Sequence, residues 1–392
     1  MRFKRAFLTL GIGLLTIWFG LTASKGAPQS PYREWSNGPP TNADYFPIAV
    51  WLQNPKNAER YRTAGINLYV GLWRGPTAEQ LEALRKAGMR VICGQNAFAL
   101  SNKSNPVIAG WMHNDEPDNA QSLGRGKGYG PPVLPSEILR LYEKMRAADP
   151  TRPVVLNLGQ GVAWDNYIGR GVRRNHPEDY AEYLKGCDIA SFDIYPAVHS
   201  DKAVAGKLEF VANGVKRLVD WTGRAKPVWN CIECTHIENP DVKPTPAQVR
   251  AEVWMSLING SGGLIYFVHQ FKPTFQEAAL LEDPEMLAAV TAINRRIHAL
   301  APVLNSSTAD KLIVTSGNTR VASLLKRHEG ATYLFTVSMQ NTPGHATFTS
   351  SALANNALVE VLDENRAIPV RENRFSDSFK PYAVHLYRIR AN

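Results

Sequence analysis

The chain has 392 residues, of which 44% are hydrophobic and 20% charged, and this composition excludes an intrinsically disordered protein. Its length fits one large domain with a small one, or two medium domains. The formal net charge is +9, but four of the cations lie in the first 27 residues, and the remaining excess of about +5 is too weak to predict nucleic-acid binding.

Residues 1–27 resemble a secretory signal, with a basic start, an apolar run over 7–21 and small residues behind it. Lys25 and Pro28 interrupt any clean cleavage site, so an uncleaved membrane anchor stays open as an alternative. Either case predicts an exported protein, periplasmic or extracellular. Contact with the membrane is expected only if the segment is uncleaved, and residues 28–45 are expected to form an N-terminal extension.

Residues 46–304 alternate short apolar runs with amphipathic stretches of helical period, which is the pattern of βαβ units and a parallel sheet. Thr77, Ser136 and Thr245 are the predicted N-caps of three of these helices. The predicted strands are 47–52, 66–72, 89–93, 107–112, 154–158, 189–194, 228–232 and 264–268.

Eight strands in this length favour a (β/α)8 TIM barrel, which needs roughly 250 residues. An open doubly wound sheet is the alternative, but the first strand ends in Trp51, Leu52, Gln53, without the glycine-rich turn that would bind a phosphate. No cofactor is expected. Residues 305–392 contain short alternating runs with turn signals and no helical pattern, which predicts a small antiparallel β-sandwich domain packed directly on the barrel.

The four cysteines, Cys93, Cys187, Cys231 and Cys234, lie mostly in or beside predicted buried strands, which favours free thiols in the core. The last two have the C-x-x-C spacing. No second pair of cysteines or histidines completes a zinc site, so no metal site is predicted.

The segment VIAGWMHNDEPD, residues 107–118, carries the clearest chemical signal. An apolar strand stops at Asp115 and Glu116, and Pro117 ends the strand pattern. The carboxyl ends of barrel strands are where such folds hold their active sites. The alternative is a solvated strand end with a turn-forming proline.

A second carboxylate, Glu233, ends the seventh predicted strand, and a barrel would place it across a narrow mouth from Glu116. Two facing carboxylates are what glycosidic bond cleavage requires. The alternative for Glu233 is a structural ion pair, for example with Arg74.

Several motifs resemble those of clan A glycoside hydrolases, which are retaining (β/α)8 enzymes. GWMHNDEPD resembles the fourth-strand motif whose glutamate is the acid/base, which implies this role for Glu116. PVWNCIE resembles the seventh-strand segment that ends in the nucleophile, which implies Glu233. CDIASFDIYP resembles the sixth-strand motif whose tyrosine orients the nucleophile, which implies Tyr195.

Two departures concern the part that contacts the sugar. Asp115 stands where the group usually has asparagine, and Val268, His269 and Gln270 stand where it usually has a tryptophan platform. The residues expected to bind the sugar lie at strand ends or in the following loops: Trp51, Arg74, Asn96, His113, Asp115, Asn157, Trp164, Asp193, His236, His269 and Gln270.

The two loops after the fourth and fifth strands carry five cations, which are Arg125, Lys127, Arg170, Arg173 and Arg174. Arginine pairs well with carboxylate or sulfate groups, so an acidic glycan is one predicted substrate class beside a neutral one. Solvated surface charge is the alternative reading of these residues.

The sequence thus predicts an exported glycoside hydrolase with a carbohydrate as its partner. A carbohydrate-binding protein without turnover and an inverting hydrolase are the alternatives. Carboxyl groups roughly 5–5.5 Å apart would indicate a retaining enzyme, and roughly 6.5–9.5 Å an inverting one.

Overall fold

The computed structural model describes residues 30–309, 313–351 and 353–390, so the predicted signal segment lies outside the described residues. Eight parallel strands form one sheet in the order β6-β5-β4-β3-β2-β1-β8-β7. Between β6 and β7 the Trp229 amide donates to the Ala190 carbonyl at 2.8 Å, which brings the sheet edges together. The strands are β1 Ile48–Trp51, β2 Leu68–Val70, β3 Arg90–Cys93, β4 Ile108–Met112, β5 Val154–Leu158, β6 Ile189–Phe192, β7 Asn230–Glu233 and β8 Leu264–Phe267.

Eight α-helices connect these strands and surround the barrel in the described chain. Thr77 and Thr245 each cap a helix through a capping box, as predicted, whereas Ser136 does not. Helix α4 starts one residue earlier at Pro135, because proline lacks the amide hydrogen that the first helical position leaves unpaired. The helices are α1 Ala58–Thr63, α2 Ala78–Lys86, α3 Ala97–Ser101, α4 Pro135–Ala148, α5 Asp179–Tyr183, α6 Glu209–Trp221, α7 Pro246–Ile258 and α8 Pro284–Leu304.

The barrel has an inner and an outer apolar layer, because successive side chains of a strand point to opposite faces. Ala49, Ile92 and Ile265 belong to the inner layer, and Val50, Val91 and Leu264 pack with the helices outside. From the N-terminal extension, the Tyr32 hydroxyl donates to the Gly262 carbonyl at 3.0 Å and accepts from the indole of Trp229. The extension therefore covers the barrel end opposite the strand C-termini.

The four cysteines are buried free thiols, as the sequence indicates. Across residues 30–309, 313–351 and 353–390, the helices all lack the combination of length and apolar character that crossing a lipid bilayer would need.

The C-terminal strands form an antiparallel sheet in the order β10-β11-β16-β13-β14, facing a smaller sheet β15-β12-β9. This confirms the barrel followed by a β-sandwich. Polar residues dominate β15, which weakens its strand signal in the sequence. The strands are β9 Val314–Gly317, β10 Val321–His328, β11 Ala331–Ser338, β12 Gly344–Thr349, β13 Leu358–Val361, β14 Arg366–Pro369, β15 Arg374–Phe379 and β16 Val384–Arg390.

The sandwich packs on the outer helices of the barrel. The rings of Trp254 on α7 and Phe335 on β11 lie 5.2 Å apart between centroids, and both side chains are buried. Arg250, also on α7, donates to the Val384 carbonyl at 2.9 Å. The two domains therefore share one continuous apolar core.

Replacing Trp254 with alanine should lower the free energy of unfolding by about 3–5 kcal/mol, because it opens a large cavity in this shared core. Denaturant unfolding followed by circular dichroism measures the change. Leu358→Ala is the control, since Leu358 is 63% exposed and its loss should cost less than about 0.5 kcal/mol. Equal losses in the two variants would show that the interface contributes nothing to stability.

Candidate active site

The loops after several strands contain a residue in a backbone conformation that L-residues rarely adopt. Leu52, Arg74, Glu116 and Ile237 have φ angles of 48°, 52°, 43° and 50°, and they follow β1, β2, β4 and β7. The Glu116 amide donates to the Asn157 carbonyl at 3.2 Å, and its own carbonyl accepts from the Asn119 amide at 3.1 Å. Such strain persists only where surrounding structure enforces it, and it concentrates at functional sites.

Three carboxyl groups meet at the C-terminal mouth of the barrel. Asp115 and Glu116 follow β4, and Asp193 follows β6. The Asn157 side-chain amide donates to Asp115 at 2.9 Å. The carboxyl groups of Glu116 and Asp193 interact directly, and the Tyr195 hydroxyl approaches Asp193.

The three carboxyl groups of this cluster differ in pKa, so they do not hold protons equally. Burial, and then the negative charge of Asp193, raises the pKa of Glu116 well above its usual range. Burial raises the pKa of Asp193 to about 6, although the nearby Glu116 carboxyl group and Tyr195 hydroxyl favour its charged form. Partial removal from water and the charge of Asp193 raise the pKa of Asp115 to about 7. Near neutral pH, Glu116 therefore holds a proton and Asp193 is ionised.

A fourth carboxylate, Asp118, has a structural task. It is fully buried and accepts hydrogen bonds from the Gly159 amide and the Tyr180 hydroxyl, both at 2.9 Å. The guanidinium of Arg170 donates to the Asp118 carbonyl at 3.3 Å and to Asp179 at 2.8 Å. These bonds tie the loops after β4 and β5 to α5, which fixes the backbone that carries Glu116.

A cavity of about 760 Å³ opens beside the carboxyl cluster. The predicted residues Trp51, Asp115 and His269 line it. The other lining side chains come from the end of β8, from the loops that follow β1, β2 and β8, and from α2: Leu52, Gln53, Asn54, Trp73, Gln80, Phe267, Phe271, Phe275 and Glu277.

His269 is held in one tautomer by a buried hydrogen-bond chain. The Tyr61 hydroxyl donates to the side-chain oxygen of Gln53 at 2.6 Å. The side-chain nitrogen of Gln53 therefore faces His269 and lies 3.2 Å from its Nε2. Because that amide nitrogen donates, His269 Nε2 accepts, and the ring proton lies on Nδ1. Burial lowers the pKa of His269 to about 4, so the ring is neutral at physiological pH.

The structure places Glu233 away from this cavity. Its side chain is fully buried, and its two oxygens accept from the amides of Ala197 at 2.6 Å and Val198 at 3.0 Å. The Tyr195 hydroxyl has no hydrogen-bond partner of good geometry, so the expected bond between Tyr195 and Glu233 is not formed. In this arrangement Glu233 cannot reach a sugar, and the geometry gives no support to the predicted nucleophile role.

The physical cause is a second glutamate, Glu252 on α7, which is also fully buried. The carboxyl groups of Glu233 and Glu252 interact directly. Burial raises the pKa of Glu233 to about 7 and that of Glu252 well above its usual range. Because the two carboxyl groups are buried together and interact, they cannot both ionise, and they share a proton. The pair anchors the loop after β6 and replaces the suggested ion pair with Arg74.

Three other predicted sugar contacts turn to the main chain instead. Asn96 caps α3 by accepting from the Ala99 amide at 2.7 Å. His113 contacts the Gly186 carbonyl at 2.8 Å, and His236 the Asn239 carbonyl at 3.1 Å, each through a ring nitrogen. These bonds position the loops around the site. Each of the three side chains has a main-chain partner where a contact with the sugar was predicted.

The remaining predicted residues lie near the rim. Arg74 is exposed, with its guanidinium 5.8 Å from the ring centroid of Trp73. Trp164 packs edge-on against His199 at 5.6 Å. The Gln270 side chain donates to the Thr274 carbonyl at 3.2 Å and so closes the loop after β8.

Two of the five loop cations are held by the protein itself. Arg170 is 1% exposed, and Arg173 donates to Asp179 at 3.0 Å. In the described chain, neither these two nor Arg125, Lys127 and Arg174 line the cavity. The expectation of an acidic glycan therefore loses its structural basis.

Sequence reasoning missed Glu252 and the exposed rings of Trp73, Phe271 and Phe275. An available signal for Glu252 was one acid inside the apolar run AEVWMSLI. The signal for the rings was their place in loops directly after strand ends, where an exposed aromatic side chain has no packing reason to be.

The fold is shared with solved glycoside hydrolases. A catalytic mutant of Gan42B, a GH42 β-galactosidase from G. stearothermophilus, has a TM-score of 0.57 at 8% identity, covering 92% of this chain and 100% of that one. An α-amylase from Geobacillus thermoleovorans, complexed with acarbose, has a TM-score of 0.54 at 9% identity, with coverage of 89% and 99%. A putative α-galactosidase/melibiase from Bacteroides fragilis has a TM-score of 0.51 at 10% identity, with coverage of 89% and 80%.

No family model and no curated protein matches the sequence. At these identities the structural likeness shows the barrel-and-sandwich fold alone, and function has to be argued from the site.

Replacing Glu252 with glutamine tests the shared proton. Because the folded-state pKa values of Glu233 and Glu252 are raised, the native pair loses stability as pH rises from about 4.3 through about 7. The glutamine amide supplies a permanent donor to Glu233. The variant should therefore gain about 1–3 kcal/mol over the parent at about pH 8.5 and nothing at about pH 5.

Thermal unfolding at the two pH values measures this difference. The control is Glu137→Gln, which removes an exposed carboxylate from α4 and should shift both midpoints equally. A Glu252→Gln effect that is the same at both pH values would contradict a shared proton.

Proposed function

We propose that the protein is a glycoside hydrolase in which Glu116 donates the proton and Asp193 acts as the charged carboxylate. One observation carries this proposal. Two carboxyl groups from different strands meet at the barrel mouth, one neutral and one ionised near neutral pH, beside a ligand-sized cavity.

The chemistry requires this division. The leaving oxygen of a glycosidic bond needs a proton donor, and the positive charge that develops on the sugar needs a carboxylate. Glu116 retains its proton because it is buried beside Asp193. Asp115 lines the cavity, and its carboxylate is positioned by Asn157 to accept sugar hydroxyl groups.

The spacing supports a retaining mechanism. In direct contact, Glu116 and Asp193 leave no room between them for the water that an inverting enzyme places there. A close pair therefore fits the roughly 5–5.5 Å of retaining enzymes better than the roughly 6.5–9.5 Å of inverting ones. The likeness in fold to solved glycoside hydrolases is consistent with this class of reaction.

The second candidate function is carbohydrate binding without turnover. The contact between Glu116 and Asp193 favours this second function, because the two carboxyl groups occupy the space in which a glycosidic bond would be cleaved. Activity measurements distinguish the two functions.

We also propose that the protein acts after export, on the basis of the N-terminal sequence pattern. Mass spectrometry of the N-terminus of the protein recovered from cell fractions tests this. An intact first residue in a cytoplasmic fraction would refute it.

Glu116→Gln should lower kcat by about 10²–10⁴-fold on substrates with poor leaving groups, and much less on activated aryl glycosides that need no protonation. Asp193→Ala should abolish turnover of both, and azide should rescue it with inverted product. Initial rates and product stereochemistry by NMR measure these effects.

Two further measurements test the role of Asp193 as the charged carboxylate. The acid limb of the kcat/KM profile should lie near the pKa of about 6 of Asp193, because activity requires its ionised form. Glu233→Ala is the matched variant. Azide rescue of Glu233→Ala and not of Asp193→Ala would return the nucleophile role to Glu233.

A further inference from the structure

A continuous series of aromatic rings runs from the carboxyl cluster to the protein surface. Tyr195, beside Asp193, lies 5.1 Å from Phe267 between ring centroids, and Phe267 lies 5.2 Å from His269. The ring of Phe271 stacks on His269 at 5.9 Å with an angle of 5° between their planes. Phe275 follows at 5.8 Å from Phe271. We call these five residues the aromatic wall.

The outer part of this wall is exposed. Phe275 and Phe271 are 64% and 42% exposed, and Trp73, which is 66% exposed, reaches the same cavity from the loop after β2. Large rings that converge on one cavity while open to water indicate a binding surface, because leaving them unpaired is unfavourable. They also present flat apolar faces to anything that enters.

The charge of the cavity selects among ligands. Two acidic residues, Asp115 and Glu277, line the cavity. No lysine or arginine is among the described residues that line it. His269 is neutral, since burial lowers its pKa to about 4. An acidic sugar would meet the negative charge of Glu277, and that of Asp115 above its pKa of about 7. The nearby Arg74 lies beside Trp73 and outside the cavity lining.

We infer that this cavity binds a neutral sugar, with the apolar face of one ring stacked on Phe271 and Phe275 and with Trp73 closing the opposite side. The aromatic wall leads from this ring to the carboxyl cluster, so a bound oligosaccharide extends along it towards Glu116. Its role in cleavage rests on the proposed function, whereas binding does not require turnover.

The polar groups of the cavity suit sugar hydroxyl groups. The carboxylates of Asp115 and Glu277 are acceptors, and every sugar hydroxyl is a donor. A uronate offers only acceptor oxygens at its acid group, so that group cannot donate a hydrogen bond to either carboxylate. Stacking and acceptor chemistry therefore select the same neutral class.

The test uses the Glu116→Gln protein, which should bind without turnover. The probes are methyl glucoside, galactoside, mannoside and xyloside in both anomers, with the methyl glucuronide and galacturonide as acidic counterparts, because their poor leaving group keeps turnover by this variant low. Saturation-transfer NMR and calorimetry measure binding. At least one neutral glycoside should bind at least about tenfold more tightly than its acidic counterpart, with an affinity insensitive to salt.

Phe271→Ala and Phe275→Ala, each made in this background, should weaken binding of that glycoside by about 3- to 10-fold. Tyr129→Ala removes a ring that is 76% exposed and lies outside the cavity, and it should change nothing. Circular dichroism establishes that each variant is folded.

Tighter binding of an acidic glycoside, binding unaffected by both phenylalanine variants, or no binding by any neutral probe would overturn the inference. The hydrolase proposal fails separately. Neutral sugars that bind on the wall and are never cleaved by the parent protein would leave this inference standing and refute the hydrolase. Cleavage of a sugar at a rate that neither phenylalanine variant changes would refute this inference and leave the hydrolase proposal standing.

Discussion

The central constraint in this protein is that carboxyl groups are buried together without a cation to balance them. Removal from water and mutual repulsion then force protons onto some of them. This occurs twice, at Glu116 with Asp193 and at Glu233 with Glu252. The first pair lies at the barrel mouth, where a held proton can be transferred, whereas the second is sealed inside and joins backbone segments. The same electrostatics thus yields a reactive group in one place and a structural anchor in the other.

The strand and helix periods in the sequence predicted the fold because a barrel imposes the same alternation on every unit. They also predicted that residues near strand ends would meet, as Trp51, Asp115 and His269 do at the cavity. Glu233 shows the limit of this reasoning. Its position at a strand end is as predicted, but the direction of its side chain depends on Glu252 and on the amides of the loop after β6. Those partners are distant in sequence, and no local pattern predicts them.

The departures from the clan A motifs also acquire a physical explanation. The sequence lacks a tryptophan after β8, and Phe271 and Phe275 supply aromatic surface from the loop that follows. The loop cations show a second limit, because their position in the loops suggested an acidic ligand while Arg170 and Arg173 are bound to Asp179. A charged side chain in a loop informs on substrate only when its own partners are known.

Helix α7 has an architectural consequence. Glu252 and Trp254 stand two residues apart on this helix. The carboxyl group of Glu252 interacts with that of Glu233, whose oxygens hold the loop after β6. The ring of Trp254 packs against Phe335 of the sandwich. A displacement of the sandwich would therefore be transmitted through one rigid rod to the loop beside Asp193. The C-terminal domain is consequently not an interchangeable module. Chimeras that exchange it would have to carry α7 as well, and evolution of the two domains is expected to be coupled along this helix.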